Sequence, residues 1–283
     1  MLRVATINLL HNPDALRERV EHLITELVTE DLDFLLLQEV LNPKKGEYFP
    51  PTHISAALGM PHVMFTQTDS RISGNAIISK HALDSIGTPP GFPDSQPAAA
   101  AATVNGRRVV VISHHGAWGP HAIGARLTQL RSIDDLARQM FTDQDLHLDA
   151  ATRPVIVLGG DFNAVPDSAP IRYLTGLDHH LGHSTLWVDA AAHLGVEEHT
   201  SGDPVALSVA TASGMVGASP RPERRPKRRI DYLFVYEWVY GHAGEPVYCR
   251  RIGTAPFTAR DGRELTVSDH YGVLAHLWEP GDE

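Results

Sequence analysis

The feature that most constrains the fold is a set of short, wholly apolar runs that each stop at a polar residue able to do chemistry. Phe34-Leu35-Leu36-Leu37 runs into Gln38-Glu39, Val109 to Ser113 into His114, and Val155 to Leu158 into Gly159-Gly160-Asp161. Apolar runs of about four to eight residues suit strands buried on both faces, because a half-exposed strand alternates apolar with polar. Val4 to Asn8, Ala76 to Ser79, Tyr232 to Val235 and Val273 to Leu277 extend the set.

Between these runs the period changes. Leu16, Val20, Leu23, Ile24, Leu27 and Val28 recur at helical spacing, as do Ile123, Leu127, Leu130, Ile133, Ala137 and Met140. Asn12-Pro13 reads as an N-cap followed by proline at the first helical position. Residues 86–102, rich in proline and alanine, read as a loop, and residues 214–229 as a mobile basic loop. No internal repeat and no linker divides the chain, so residues 1–283 are expected to form one α/β domain.

Composition narrows the function classes. A formal net charge of −10 lacks the global positive field of a non-specific duplex-DNA binder, although a local basic groove could still serve. Cys249 is the only cysteine, which excludes an intrachain disulfide. The strand pattern starts almost at Met1, leaving no room for a signal peptide, so a cytoplasmic location is expected. No apolar run approaches the roughly 18–20 residues that span a bilayer, so no transmembrane segment is expected.

The residues at the strand ends share a chemistry. Asn8, Glu39, His114, Asp161 with Asn163, and Asp269 with His270 fall where apolar strands stop or start. Open α/β folds place ligands there, because side chains converge on a crevice while the strands hold them rigidly. Asn8, Glu39, Asp161 and Asp269 offer oxygen donors and no thiolate, which suits a hard cation such as Mg²⁺. A cation and a protonated imidazole both stabilise the charge that builds up as a phosphate ester is cleaved.

Seven segments then occur in a diagnostic order: Thr6-Ile7-Asn8, Leu37-Gln38-Glu39, Ser73 to Ser79 (Ser-Gly-Asn-Ala-Ile-Ile-Ser), Ser113-His114, Gly160-Asp161-Phe162-Asn163, Arg229-Ile230-Asp231-Tyr232 and Ser268-Asp269-His270. In this the chain resembles the endonuclease/exonuclease/phosphatase superfamily, from Thr6 to about Leu277. The resemblance implies a four-layer α/β/β/α sandwich of two mixed β-sheets flanked by helices, with the active site in a cleft at one edge. It implies Mg²⁺- or Mn²⁺-dependent hydrolysis of phosphate esters, most readily of a phosphodiester.

The resemblance also implies roles. Glu39 resembles the metal ligand, Asn8 a residue positioning metal or phosphate, and Asp269 a second carboxylate beside the metal. Asp161 resembles the residue that orients or deprotonates the attacking water and also serves the metal, with Asn163 donating to the phosphate. His270 resembles the imidazole on the scissile phosphate, held by Asp231. His114 resembles the histidine that contacts phosphate or leaving group. His115 should face the opposite way on a strand, and His114 is preferred because it follows Ser113 as in the family. The family's usual His-Leu is replaced by His115-Gly116-Ala117-Trp118-Gly119, which alters the local substrate pocket. Asn75 resembles a cleft-wall residue reaching substrate, and Trp118, His121 and Arg126 are further candidates for the cleft.

The cations between Arg221 and Arg229 read as a solvated loop or as a clamp on phosphates. The substrate stays open between nucleic acid and a phospholipid or small-molecule phosphodiester. A non-catalytic binding protein on the same fold should have lost some of these positions, and all are present. A zinc hydrolase should show a zinc spacing such as His-Glu-x-x-His, which the chain lacks. Neither the number of metals at turnover nor the oligomeric state follows from the sequence.

Overall fold

Buried strands need neighbours on both edges, and the register shows how they find them. The computed structural model describes residues 1–42, 47–66, 72–93, 95–140, 153–196, 198–212, 225–236 and 243–279. The elements run β1 (Leu2–Asn8), α1 (Leu16–Leu27), β2 (Phe34–Leu41), α2 (Pro50–Leu58), β3 (His62–Thr66), β4 (Ser73–Ser79), β5 (Asp84–Ser85), β6 (Ala98–Val104), β7 (Arg107–His115), α3 (Ile123–Met140) and β8 (Val155–Asp161). There follow α4 (Ala169–Leu174), β9 (Trp187–Asp189), α5 (Ala190–His193), α6 (Pro204–Ala212), β10 (Asp231–Tyr236), β11 (Pro246–Ile252), β12 (Phe257–Thr258), β13 (Glu264–Leu265) and β14 (Gly272–Leu277).

Two six-stranded sheets result, ordered β11-β14-β1-β2-β4-β3 and β5-β6-β7-β8-β10-β9. Each is mixed, with one parallel pair at its centre, β1 with β2 and β7 with β8. Leu2, Val4, Phe34, Leu36 and Ile77 of the first sheet meet Val109, Val111, Val155, Val157, Leu233 and Val235 of the second in one buried cluster. The outer face of the first sheet buries Ala5, Ile7, Leu35 and Leu37 against Val20, Leu23, Ile24 and Leu27 of α1. The outer face of the second buries Val110, Ile112, Ile156 and Leu158 against Leu130, Ile133 and Ala137 of α3. This is the α/β/β/α layering expected from the sequence. At roughly 1.5–3 kcal/mol per fully buried large aliphatic side chain, the three interfaces supply the main stabilising term.

Two local expectations are corrected. Residues 98–102, read as the end of a loop, belong to β6, whose five consecutive alanines alternate between layers. Ala98, Ala100 and Ala102 enter the cluster between the sheets, while Ala99 and Ala101 face the α3 side. Alanine's low strand propensity is overridden by pairing with β7 along the whole strand. Helix α1 starts at Leu16, not at Pro13. The Asn12 side chain instead closes a turn by accepting from the Asp14 amide at 2.9 Å. Residues 214–224 of the basic loop lie outside the described residues. No described helix is long and apolar enough to cross a membrane.

Candidate active site

Topology alone gathers the polar residues. In a parallel pair both C-terminal ends lie on one rim, so Asn8 closes β1 beside Gln38, and His115 closes β7 beside Asp161 of β8. Strands β10 and β14 run antiparallel to these pairs and deliver their N-terminal ends to the same rim. Asp231 is in register with Asp161, and Asp269-His270 lie one residue before β14. Beneath the rim the two sheets are tied together. Gln38 Nε2 donates to Ser113 Oγ at 2.9 Å and to Thr6 Oγ1 at 3.1 Å, and Ser113 Oγ donates to the Leu37 carbonyl at 3.0 Å.

Asp161 is the hub. One of its oxygens, Oδ1, accepts from the Asn163 amide at 2.8 Å. The other, Oδ2, accepts from Asn8 Nδ2 at 3.1 Å and lies 3.5 Å from His115 Nε2 and 3.8 Å from His270 Nε2. Asn8 Nδ2 also donates to Glu39 Oε1 at 3.1 Å, so one amide bridges carboxylates from both sheets. His270 is held from behind, its Nδ1 3.0 Å from Asp231 Oδ2. Burial alone would lower the His270 pKa; the Asp231 and Asp161 charges outweigh it and hold the imidazole well above its ordinary value, as a cation.

Glu39 sits on a bulge between Leu37 and Val40 with φ 52°, a left-handed conformation that is uncommon away from glycine. The bulge lifts its carboxylate out of the ladder toward Asn8. Burial would raise its pKa, but the His11 hydrogen bond and the nearby His115 hold it well below the usual carboxylate range. Asp269 moves the other way. Burial, with the neighbouring Glu39 and Asp161 charges, raises its pKa against the pull of His270.

Asn8 bridges Glu39 and Asp161, and the charges of both add to the burial that raises Asp269. An oxygen-only donor set under mutual repulsion is the environment a divalent cation relieves, so these residues fit the metal that the resemblance implies. Asp161, Asp231 and His270 also form one of two His/carboxylate groups close enough to share an ion among the described residues.

The structure brings together Asn8, Glu39, Asp161, Asn163, Asp231, Asp269 and His270, and leaves out His114 and Asn75. His114 is buried in the α3-side core, edge-on to both Phe92 and Phe162, and burial pushes its pKa down to about 3. The cleft-facing histidine is His115. The two alternate on β7, and pairing of His115 with Asp161 sets which one reaches the rim. Asn75 is fully buried and donates to Ser95 Oγ and the Gln96 carbonyl at 3.1 and 2.7 Å, pinning that segment instead of lining the cleft. Asn163 Nδ2 is engaged by the Gly116 carbonyl at 3.0 Å.

Gly160 is dictated by strand packing. A Cβ there would lie 1.8 Å from the His114 carbonyl oxygen, so the glycine admits β7 rather than a ligand. The Trp118 side chain is 84 % exposed, on a loop whose backbone is clamped from α3: Arg126 donates to the Ala117 and Gly119 carbonyls, and Gln129 accepts from the Ala117 amide. At the edge of the basic loop, Arg229 is committed to Asp189 at 2.6 Å and Lys227 to Asp203 at 3.1 Å.

Sequence reasoning missed His11, whose backbone amide and Nδ1 both meet Glu39 Oε2, and Arg19, which is buried beneath the site. A histidine three residues beyond the end of β1 and an arginine on the apolar stripe of α1 were the available signals.

Comparison with known proteins agrees with this architecture. Humanized D. rerio TDP2 carrying 14 mutations superposes with a TM-score of 0.64 at 17 % identity, over 98 % of both chains. D. rerio TDP2 complexed with a single-strand DNA product gives 0.66 at 17 %, again over 98 % of both. An endonuclease/exonuclease/phosphatase family protein from Leptotrichia buccalis gives 0.62 at 12 %, over 98 % of this chain and all of the other. At such identities the likeness is one of fold. No curated protein sequence matches. The model of the Endonuclease/Exonuclease/phosphatase family matches residues 5–270, and the chain belongs to that family.

Proposed function

We propose that the protein is a divalent-metal-dependent hydrolase of phosphate esters, acting on a phosphodiester. The observation that carries this reading is the convergence of Asn8 Nδ2, His115 Nε2 and His270 Nε2 on a single oxygen of Asp161, beside Glu39. When bound at Glu39, Asp161 and Asp269, a divalent cation supplies charge neutralisation to a phosphate.

The rest of the chemistry belongs to side chains. Asp161, fixed by Asn8 and the Asn163 amide, accepts the proton of the attacking water. His270, kept charged by Asp231, presents Nε2–H to a phosphoryl oxygen and stabilises the charge that develops there. His115 occupies the opposite side of Asp161 and takes the role expected of His114. The DNA product complex of D. rerio TDP2 supports a nucleic-acid diester. The net charge of −10 favours a second reading, a phospholipid or small-molecule diester.

A hydrolysis panel with Mg²⁺ and Mn²⁺ tests both readings on single- and double-stranded DNA, RNA, sphingomyelin, inositol phosphates and bis-p-nitrophenyl phosphate. Metal-dependent turnover of a diester, cut about 10²–10⁴-fold by Asp161→Asn and by His270→Ala while each variant still unfolds as a cooperatively folded protein, is the expected result. Full rates in both variants, or full turnover in a metal chelator, would overturn the mechanism.

A further inference from the structure

Two strained residues flank the proposed metal position. Leu10 and Glu39 both have positive φ, 56° and 52°, in a region that non-glycine residues seldom occupy. Such strain persists only where the surroundings over-determine it, and here they do. The Leu9 amide donates to the Gln38 carbonyl at 2.9 Å, the Leu10 amide to Asn8 Oδ1 at 2.9 Å, and the Asn12 amide to the Leu10 carbonyl at 2.6 Å. From below, the fully buried Arg19 donates to the carbonyls of Leu9 at 2.7 Å, Asn12 at 2.6 Å and Val267 at 2.9 Å. One guanidinium therefore fixes the turn after β1 and also the segment leading to Asp269.

What this scaffold displays is an imidazole. The His11 amide donates to Glu39 Oε2 at 3.1 Å, and the ring Nδ1 meets the same oxygen. The ring is about one-third exposed (34 %). An imidazole held by its backbone and ring on the carboxylate expected to bind the cation is built in, not draped over the surface.

We propose that His11 is a nitrogen ligand of the cation held on Glu39, so that this site is a mixed nitrogen–oxygen centre that selects first-row transition ions over Mg²⁺. The inference rests on the metal-dependent reading above. Mg²⁺ favours oxygen ligands and retains its waters, whereas imidazole favours transition ions. A turn braced by Arg19 presents that nitrogen with little entropy left to lose. With His11 absent, Glu39, Asp161, Asp269 and Asn8 would leave an oxygen site suited to Mg²⁺.

The test uses Mn²⁺ as a paramagnetic probe on the full chain. Mn²⁺ binding is followed by electron paramagnetic resonance in competition with Mg²⁺, and nitrogen coupling by electron spin echo modulation. The expected result has three parts: ¹⁴N coupling in the wild-type protein, its loss in His11→Ala and His11→Asn, and a Mn²⁺-over-Mg²⁺ preference that falls about tenfold or more in both. Retention of the same ¹⁴N coupling and preference in both variants overturns the inference, and reduces His11 to a hydrogen-bond partner of Glu39. Mn²⁺ binding that is lost in Glu39→Ala but shows no ¹⁴N coupling in the wild type also overturns it, while leaving the metal-dependent reading intact. Mn²⁺ binding that ignores Glu39→Ala overturns that reading as well. Unfolding curves of each variant establish that the fold survives.

Discussion

Among the described residues, two groups are built from the same residue types, two acids and a histidine, in opposite states. Asp161, Asp231 and His270 lie at the rim of the sandwich; Asp134, Asp135 and His183 lie between α3 and the segment before β9. In the second group Asp134 is saturated. Its fully buried carboxylate accepts from Trp187 Nε1 at 2.9 Å, from Arg138 Nε at 2.8 Å and from Thr185 Oγ1. In the first, Asp161 Oδ2 is shared by one amide and two imidazole edges that lie beyond hydrogen-bond distance, and further carboxylates crowd it from Glu39 and Asp269. Residue type does not distinguish a site from a structural knot. Unbalanced charge and unused directional capacity do.

The strongest test of this contrast is Asp231→Asn, which keeps the shape and removes the charge behind His270. Hydrolysis should fall about 10²–10⁴-fold, because the imidazole loses both its charge and its orientation. The pH behaviour carries a sign. With its pKa raised in the folded protein, the charged His270 contributes stability that is fully present below the unfolded value of about 6.5. That contribution is lost as pH rises through the folded value. The alkaline limb of the rate profile should therefore move to lower pH in Asp231→Asn. A limb that stays in place would mean that Asp231 does not set the charge of His270.

At the other group the loss should appear in stability. Asp134→Ala strands the Trp187 indole, the Thr185 hydroxyl and the Arg138 guanidinium, at a cost of about 3 kcal/mol in urea unfolding. Turnover of the folded fraction should be unchanged. Reduced turnover with unaltered stability would erase the distinction between the groups.

Neighbouring histidines pose the same contrast over one residue. His115→Ala should lower hydrolysis about tenfold or more, since it removes a donor near Asp161. His114→Leu should retain both activity and, within about 1 kcal/mol, stability, because it replaces a buried ring whose Nδ1 has no partner. Equal losses of activity in both would refute the assignment made from the strand register.

How much of this was legible in the sequence follows from what each feature depends on. Asn8, Glu39, Asp161, Asp269 and His270 were readable because each abuts a run of core residues, and position along a strand is local information, whereas Asp231 came only from the family resemblance. The choice between His114 and His115 was not, because it depends on where β7 meets β8, with His115 opposite Asp161. Asn75 was misplaced for a related reason: its partners, Ser95 and Gln96, lie about twenty residues along the chain. Strand β6 was hidden by alanine, whose small side chain serves the interface between two sheets but carries no strand signal. Arg19 looked like an ordinary polar interruption of a helix, and only the fold reveals the carbonyls of Leu9, Asn12 and Val267 around it.

The smallest expected effect completes the contrast. His183 stands to Asp134 and Asp135 as His270 stands to Asp231 and Asp161, yet its ring nitrogens lie 3.8 and 3.7 Å from those acids. Among the described residues its close partner is the Tyr173 hydroxyl, 3.0 Å from Nδ1. A neutral hydrogen bond at a half-buried site contributes about 0.5–1.5 kcal/mol. His183→Ala should therefore lower stability by no more than that and leave turnover and Mn²⁺ binding as they are. Arg138 and Asp134 would still be paired at 2.8 Å, so the charge balance of this group does not depend on the imidazole. At the rim it does, because His270 is the cation that offsets Asp231 and Asp161. A loss of Mn²⁺ binding in His183→Ala would show a second cation site where the hydrogen bonding indicates a closed structural pair.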